Sequence, residues 1–220
     1  MPGEGEVRFP TARGTGEVRG ILHEPSVAAN LALVLAHGRS GDMRNRLLRR
    51  LAAAACEAGW LALRFNFRYV DAKRTASRDL SEEADDLLGA VRFLRRQMAV
   101  GPILVAGASM GARVCARASA DPDVAGVIAL GYPLHPMFKP QVRDPPEWPM
   151  LVKPTLFVQG DHDPFCDLGR LREELLRLVA PNHLVVIADA GHVFEPKGTR
   201  RDTFPELWAA VAAWVPERAG

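Results

Sequence analysis

The stretch "LVAGASMGARV" (residues 104–114) sets a serine in a G-x-S-x-G pattern, Gly107-Ala108-Ser109-Met110-Gly111, between an apolar run and a helix-forming one. A serine at the crest of a sharp strand-to-helix turn is exposed and held in strained backbone, and small residues two positions to either side let neighbouring backbone pass close. The turn also opens a helix, whose unpaired N–H groups and dipole favour negative charge as it develops. This is a setting for a nucleophile, with Ser109 in that role. A serine hydroxyl is a weak nucleophile at neutral pH, so a base must take its proton. Six histidines compete for that role, namely His23, His37, His135, His162, His183 and His192. A second stretch, "VQGDHDPFC" (residues 158–166), gathers Asp161, His162, Asp163 and Cys166 after another apolar run. Read alone, it fits a metal-binding knot, a carboxylate that orients a histidine, or a polar turn. It supplies neither H-x-H nor H-E-x-x-H geometry, and the chain has no G-x-x-x-x-G-K-[ST] loop and no G-x-G-x-x-G at its first helix, so neither a metal nor a cofactor is expected.

The elements that must position these residues alternate along the chain. "EVRF" and "GEVRGILHEP" read as two short strands, and "ANLALVLAHG" (29–38) as an apolar strand entering a Gly turn. Asp42 can cap a helix whose apolar positions Leu47, Leu48, Leu51, Ala52 and Ala55 keep helical spacing, with Gly59 as its stop; "WLALRFNF" is the next strand. Leu80, Ala84, Leu87, Leu88, Val91, Leu94 and Met98 form an amphipathic stripe closed by Gly101 and Pro102, which predicts a surface helix. Then come the strand "PILVAGAS", a helix over about 110–120, the strand "VAGVIALG" and a Pro-rich stretch from Tyr132 to Pro154. The strand "PTLFVQG", a helix over 167–179, the strand "HLVVIAD" and a helix from Thr203 to about Val215 complete the chain, the last with a capping-box pattern of Thr203 and Glu206. Apolar strands without polar alternation, each followed by a helix, imply an α/β fold: a mostly parallel central sheet with helices on both faces and ligands at the carboxyl ends of the strands.

Composition narrows the function. The 220 residues, 48% of them hydrophobic, suffice for one sizeable core, so a single domain over residues 1–220 is expected. The opening "MPGEGEVRFP" does not read as a secretory signal, and no apolar run is long enough to cross a bilayer, so a cytoplasmic protein with no membrane partner is expected. Cys56, Cys115 and Cys166 are an odd number at wide spacing, which fits a reducing compartment better than a disulfide framework. The formal net charge of +2, with both signs mixed, lacks the basic field of a nucleic-acid binder; a small-molecule partner is expected, and the oligomeric state is left open.

Over nearly its full length the chain resembles a small α/β-hydrolase of the dienelactone-hydrolase-like kind. The residues that carry the likeness are His37-Gly38 after the third strand, the Ser109 elbow, Asp163 after a late strand and His192 after the last, in the order Ser, Asp, His. The resemblance implies a Ser109–Asp163–His192 triad. Among the histidines, only His192, in "DAGHVFEP", follows a late strand in a loop able to lean over the carboxyl edge of the sheet. In the resembling family the acid stands three residues after the strand-ending Gly, which from Gly160 is Asp163; Pro164 would stiffen that turn, while Asp161 is expected to bond its own turn's backbone. The resemblance also implies an oxyanion hole made by the backbone N–H groups of Met110 and Arg39. His37 is expected to shape the turn rather than to act in catalysis, and is also a candidate substrate-pocket residue. Arg39, Arg44 and Arg46 read as a solvated helix start, with attraction of a substrate carboxylate as the alternative, and Arg39 puts a bulky cation where many relatives of the resembling family have a small residue.

The Pro-rich stretch lies where a lid or an acyl-pocket wall could be built, with Tyr132, His135, Phe138 and Trp148 as candidate pocket residues. It is too short for a large helical cap. The expected reaction is acyl transfer from a small acyl substrate to water through an acyl-enzyme on Ser109. Carboxylic esters are the first expectation, acyl thioesters the second, and a non-catalytic binding or scaffold subunit on the same fold the alternative of a different class.

Overall fold

A computed structural model describes residues 3–97, 100–141, 145–194 and 201–215. The strands are β1 (Gly3–Pro10), β2 (Glu17–Glu24), β3 (Ala32–Ala36), β4 (Leu61–Phe65), β5 (Ile103–Ala108), β6 (Gly126–Leu130), β7 (Thr155–Gly160) and β8 (Asn182–Ile187). The helices are α1 (Arg46–Glu57), α2 (Arg68–Asp71), α3 (Ser81–Gln97), α4 (Met110–Ala118), α5 (Leu168–Leu175) and α6 (Phe204–Trp214). One sheet runs in the order β1-β2-β4-β3-β5-β6-β7-β8. β1 and β2 pair antiparallel, as do β2 and β4, and every pairing from β4 to β8 is parallel.

Both faces of the central strands are apolar because both are covered. Leu33, Leu35, Leu104, Ile128, Leu156 and Val158 pack with Leu48 and Leu51 of α1 and Leu207 and Val211 of α6. The alternate residues Val34, Val105, Val127 and Phe157 pack on the other side with Leu87 and Val91 of α3, Val114 of α4 and Leu171 of α5. Burial on two faces removes the period-two polar pattern, which is why these strands read as continuous apolar runs. No large cap stands on the sheet among the described residues. Among the described residues no helix is long and apolar enough to cross a membrane.

Several element ends differ from expectation. The cap of α1 is Asn45, whose side-chain oxygen accepts from the N–H of Leu47 at 2.9 Å and of Leu48 at 3.3 Å. Asp42 instead accepts from the Arg44 N–H at 2.7 Å, an Asx turn that delays the helix by one turn. Thr203 does not close a capping box: its hydroxyl donates to the Phe194 carbonyl at 2.7 Å, and Glu206 pairs with Arg201. The helix expected over 167–179 ends at Leu175, because Leu176 and Val179 are exposed and give a longer helix no apolar face to bury. Met98, the last residue of the amphipathic stripe, lies outside the described residues. The stripe's helix, α3, is more than a surface helix. Its Asp85 and Asp86 are buried against Arg68 of the unforeseen α2, at 3.0 and 2.8 Å.

Candidate active site

The chain leaves β3 for β4 on one side and returns to β5 on the other, so the loops after β3 and β5 part in opposite directions and open a crevice at the carboxyl edge. Ser109 stands there between β5 and α4 with φ 54° and ψ −117°, a left-handed conformation that L-residues seldom adopt. The flanking glycines make that turn possible. A Cβ on Gly111 would lie 2.4 Å from the Ala36 carbonyl oxygen, and one on Gly107 would lie 2.2 Å from the Gly111 backbone. Any side chain at either position would push the elbow off the sheet.

His192 approaches from the loop after β8, three strand spacings or about 14 Å along the sheet edge from β5. Its chain crosses the end of β6 at Gly131, where φ is 57° and a Cβ would meet the His192 carbonyl oxygen at 2.4 Å. His192 Nε2 accepts from the Ser109 hydroxyl at 2.7 Å, and Nδ1 donates to Asp163 Oδ2 at 2.8 Å. The carboxylate can only accept, so it fixes the proton on Nδ1 and leaves Nε2 as the acceptor. The Asp163 side chain is fully buried, and its Oδ1 accepts from the Phe165 N–H at 2.8 Å. The structure thus brings together Ser109, His192 and Asp163. Asp161 does not bond its own turn's backbone as expected: the residue is exposed, and its carboxylate lies 3.5 Å from His162. Asp163 is the residue whose side chain closes the turn.

The loop after β3 lies against the serine, with the Cβ direction of Gly38 ending 3.4 Å from Ser109 Cβ. The Gly38 carbonyl accepts from His37 Nδ1 at 2.7 Å and from the Gly41 N–H at 3.0 Å. In a trans peptide this turns the Arg39 N–H to the opposite side. Among the described residues neither the Arg39 N–H nor the Met110 N–H makes a hydrogen bond. Tyr69, which the sequence did not single out, fixes the next peptide by donating to the Arg39 carbonyl at 2.8 Å. The Arg39, Arg44 and Arg46 side chains are exposed.

His37 is fully buried, and its Nε2 accepts from the Phe67 N–H at 3.2 Å, so the ring ties the loop after β3 to the chain after β4. Burial lowers its pKa, opposed by its bond to the Gly38 carbonyl. The folded chain therefore resists a proton that the unfolded chain accepts near pH 6.5, so His37 contributes stability above that pH and loses it as pH falls below. In urea unfolding compared at pH 7.5 and 5.5, the wild type should lose more stability on acidification than His37→Gln, which removes this titration.

The Pro-rich stretch braces the site. Tyr132 is fully buried beside Trp148 and Phe157, and its hydroxyl donates to the buried Glu147, which also takes a two-pronged ion pair from Arg113 of α4 at 2.7 and 3.0 Å. Tyr132 and Trp148 are therefore core residues and not pocket walls, because their rings fill the space under the strand ends. His135 is buried too: its Nε2 accepts from the Asp167 N–H at 2.8 Å, and its backbone N–H donates to the Phe165 carbonyl at 3.1 Å. It fastens this stretch to the acid turn. Of the four candidates, Phe138 alone is well exposed, at 77%, with its N–H on the Pro164 carbonyl at 2.8 Å.

Two further neighbours of the site escaped the sequence reading. The Phe165 ring lies 4.5 Å from the His192 ring, and Gln159 donates from Nε2 to Asp163 Oδ2 at 2.5 Å. The available signal was a lone amide near the end of an apolar strand, four residues before the acid. Burial raises the Cys166 thiol pKa well above its usual value, so it stays protonated. Among the described residues no cluster of three or more His, Cys, Asp or Glu could hold a metal ion.

A family model described as alpha/beta hydrolase domain matches residues 29–218. Among solved structures, the chain is similar to a dienelactone hydrolase from Anabaena variabilis, at 24% identity and TM-score 0.77 over 100% of this chain and 99% of that one. It is also similar to an alpha-beta serine hydrolase homologue from Coxiella burnetii, at 22% identity and TM-score 0.77, with 96% and 97% covered. A third likeness is to an a/b serine hydrolase without lid from Xanthomonas campestris, at 24% identity and TM-score 0.75, with 96% and 94% covered. At these identities the likeness speaks for the fold.

Proposed function

The chain belongs to the alpha/beta hydrolase family, and we propose that it is a serine hydrolase that cleaves small carboxylic esters through an acyl-enzyme on Ser109. The observation that carries this reading is the unbroken line of hydrogen bonds from the Ser109 hydroxyl through His192 to Asp163. In the reaction, Ser109 Oγ attacks the ester carbonyl as His192 Nε2 takes its proton. The imidazolium, held by Asp163, then returns that proton to the leaving alcohol. Water repeats the sequence on the acyl-enzyme, with His192 again as base. The N–H groups of Met110 and Arg39, unpaired among the described residues, stabilise the oxyanion; His37 holds the second through the carbonyl of the same peptide, and Tyr69 fixes the peptide that follows.

The described part of the Pro-rich stretch is occupied in bracing α4 and the acid turn, so the site stays partly open and takes small acyl groups; Met137 and Phe138 are exposed apolar side chains in it. The same reading makes residues 1–220 one catalytic domain acting on a small-molecule acyl substrate and water. Its three buried free thiols suit the cytoplasm. A panel of acyl chain lengths, offered as esters and as thioesters to the wild type and to Ser109→Ala, tests the reading. Short esters should turn over fastest and depend wholly on Ser109. A preference for thioesters would overturn the ester assignment, and no Ser109-dependent turnover of any member would point to a scaffold.

A further inference from the structure

We propose that Gln159 is a positioning residue that sets the orientation and charge of the Asp163 carboxylate; this rests on the reading of Asp163 as the partner of His192. Gln159 lies near the end of β7 with no exposed surface, among the apolar residues Leu156, Phe157 and Val158. Its Nε2 donates at 2.5 Å to Asp163 Oδ2, the same oxygen that accepts from His192 Nδ1 at 2.8 Å. The amide has only one workable orientation, since turning it over would set Oε1 against a carboxylate that can only accept.

That orientation leaves Gln159 Oε1 buried without a partner among the described residues. A buried acceptor left unpaired works against folding, and an apolar side chain would suit this strand better. The bond to Asp163 is thus the reason for an amide here. Three donors fix the carboxylate: the Phe165 N–H on Oδ1, and Gln159 with His192 on Oδ2. Gln159 also draws negative charge from the oxygen that faces His192, which limits how tightly Asp163 holds the imidazolium.

The test pairs Gln159→Leu with Gln159→Met, each alone and in an Asp163→Ala background. With 4-nitrophenyl acetate, either single variant should lower kcat by about 10- to 100-fold, with KM within about threefold of the wild type. The acid limb of the pH–rate profile should move to higher pH, because a carboxylate freed of one donor holds the imidazolium more strongly. A residue acting through Asp163 has nothing left to position once Asp163 is gone, so in the Asp163→Ala background the same change should cost less than about twofold.

A folded Gln159→Leu with kcat within about twofold of the wild type and an unmoved acid limb would overturn the proposal. So would an undiminished loss in the Asp163→Ala background, or failure of both variants to fold, since Gln159 would then be structural. Failure of the hydrolase reading looks different: the wild type itself would show no Ser109-dependent hydrolysis. The positioning claim is then still read from the NMR titration of the His192 ring, which Gln159→Leu should shift to higher pH and which an idle Gln159 would leave in place.

Discussion

Ser109→Ala and His192→Ala should each lower kcat for a short-chain aryl ester by about 10⁵- to 10⁶-fold, and the double variant should lose no more than either alone. The reason lies in the 2.7 Å bond between them. Without the imidazole the hydroxyl stays a weak nucleophile, and without the hydroxyl the imidazole has nothing to deprotonate, so each removal disables the same step. Part of the catalysis over water should survive, because the Met110 and Arg39 N–H groups and the crevice remain. The variants should fold, since neither side chain belongs to the apolar clusters on the two faces of the sheet. Steady-state kinetics on all three variants, with circular dichroism as the control, checks the pattern. Losses that multiply in the double variant would mean that the two residues act in separate steps.

Asp163→Ala should lower kcat by about 10⁴-fold, while Asp161→Ala stays within about threefold of the wild type. Both carboxylates occupy one turn, and geometry separates them. Asp163 is buried and accepts from His192, Gln159 and the Phe165 N–H; Asp161 is exposed beside His162. Loss of Asp163 frees the imidazole to take the other tautomer and removes the negative charge that stabilises the imidazolium. A larger loss in Asp161→Ala than in Asp163→Ala would reverse the assignment.

The serine elbow and the order of strands and helices were legible in the sequence because local chemistry imposes them. Gly107 and Gly111 are small where backbone passes within touching distance, and continuous apolar runs such as "ALVLA" are what strands covered on both faces require. The choice of Asp163 over Asp161 came from a family likeness, and that of His192 from its place after the last strand together with that likeness, since their meeting depends on a loop that crosses two strand ends, and no spacing in the sequence encodes that path. What stayed hidden was contact between distant segments. Tyr132 and Trp148 looked like pocket aromatics, yet they pack on Phe157 under the sheet edge. Asp42 looked like a cap until its Asx turn moved that role to Asn45, and Thr203 found the Phe194 carbonyl instead of its own helix. Gln159 read as an ordinary polar residue near a strand end because its partner stands beyond the turn.

The central claim is that Ser109 is an activated nucleophile, and covalent labelling by a fluorophosphonate probe tests it without knowledge of the natural substrate. The wild type should take up one probe, mapped by mass spectrometry of proteolytic fragments to Ser109, at a rate that falls by orders of magnitude in His192→Ala and to nothing in Ser109→Ala. No labelling of the folded wild type, or labelling that survives in Ser109→Ala, would contradict it.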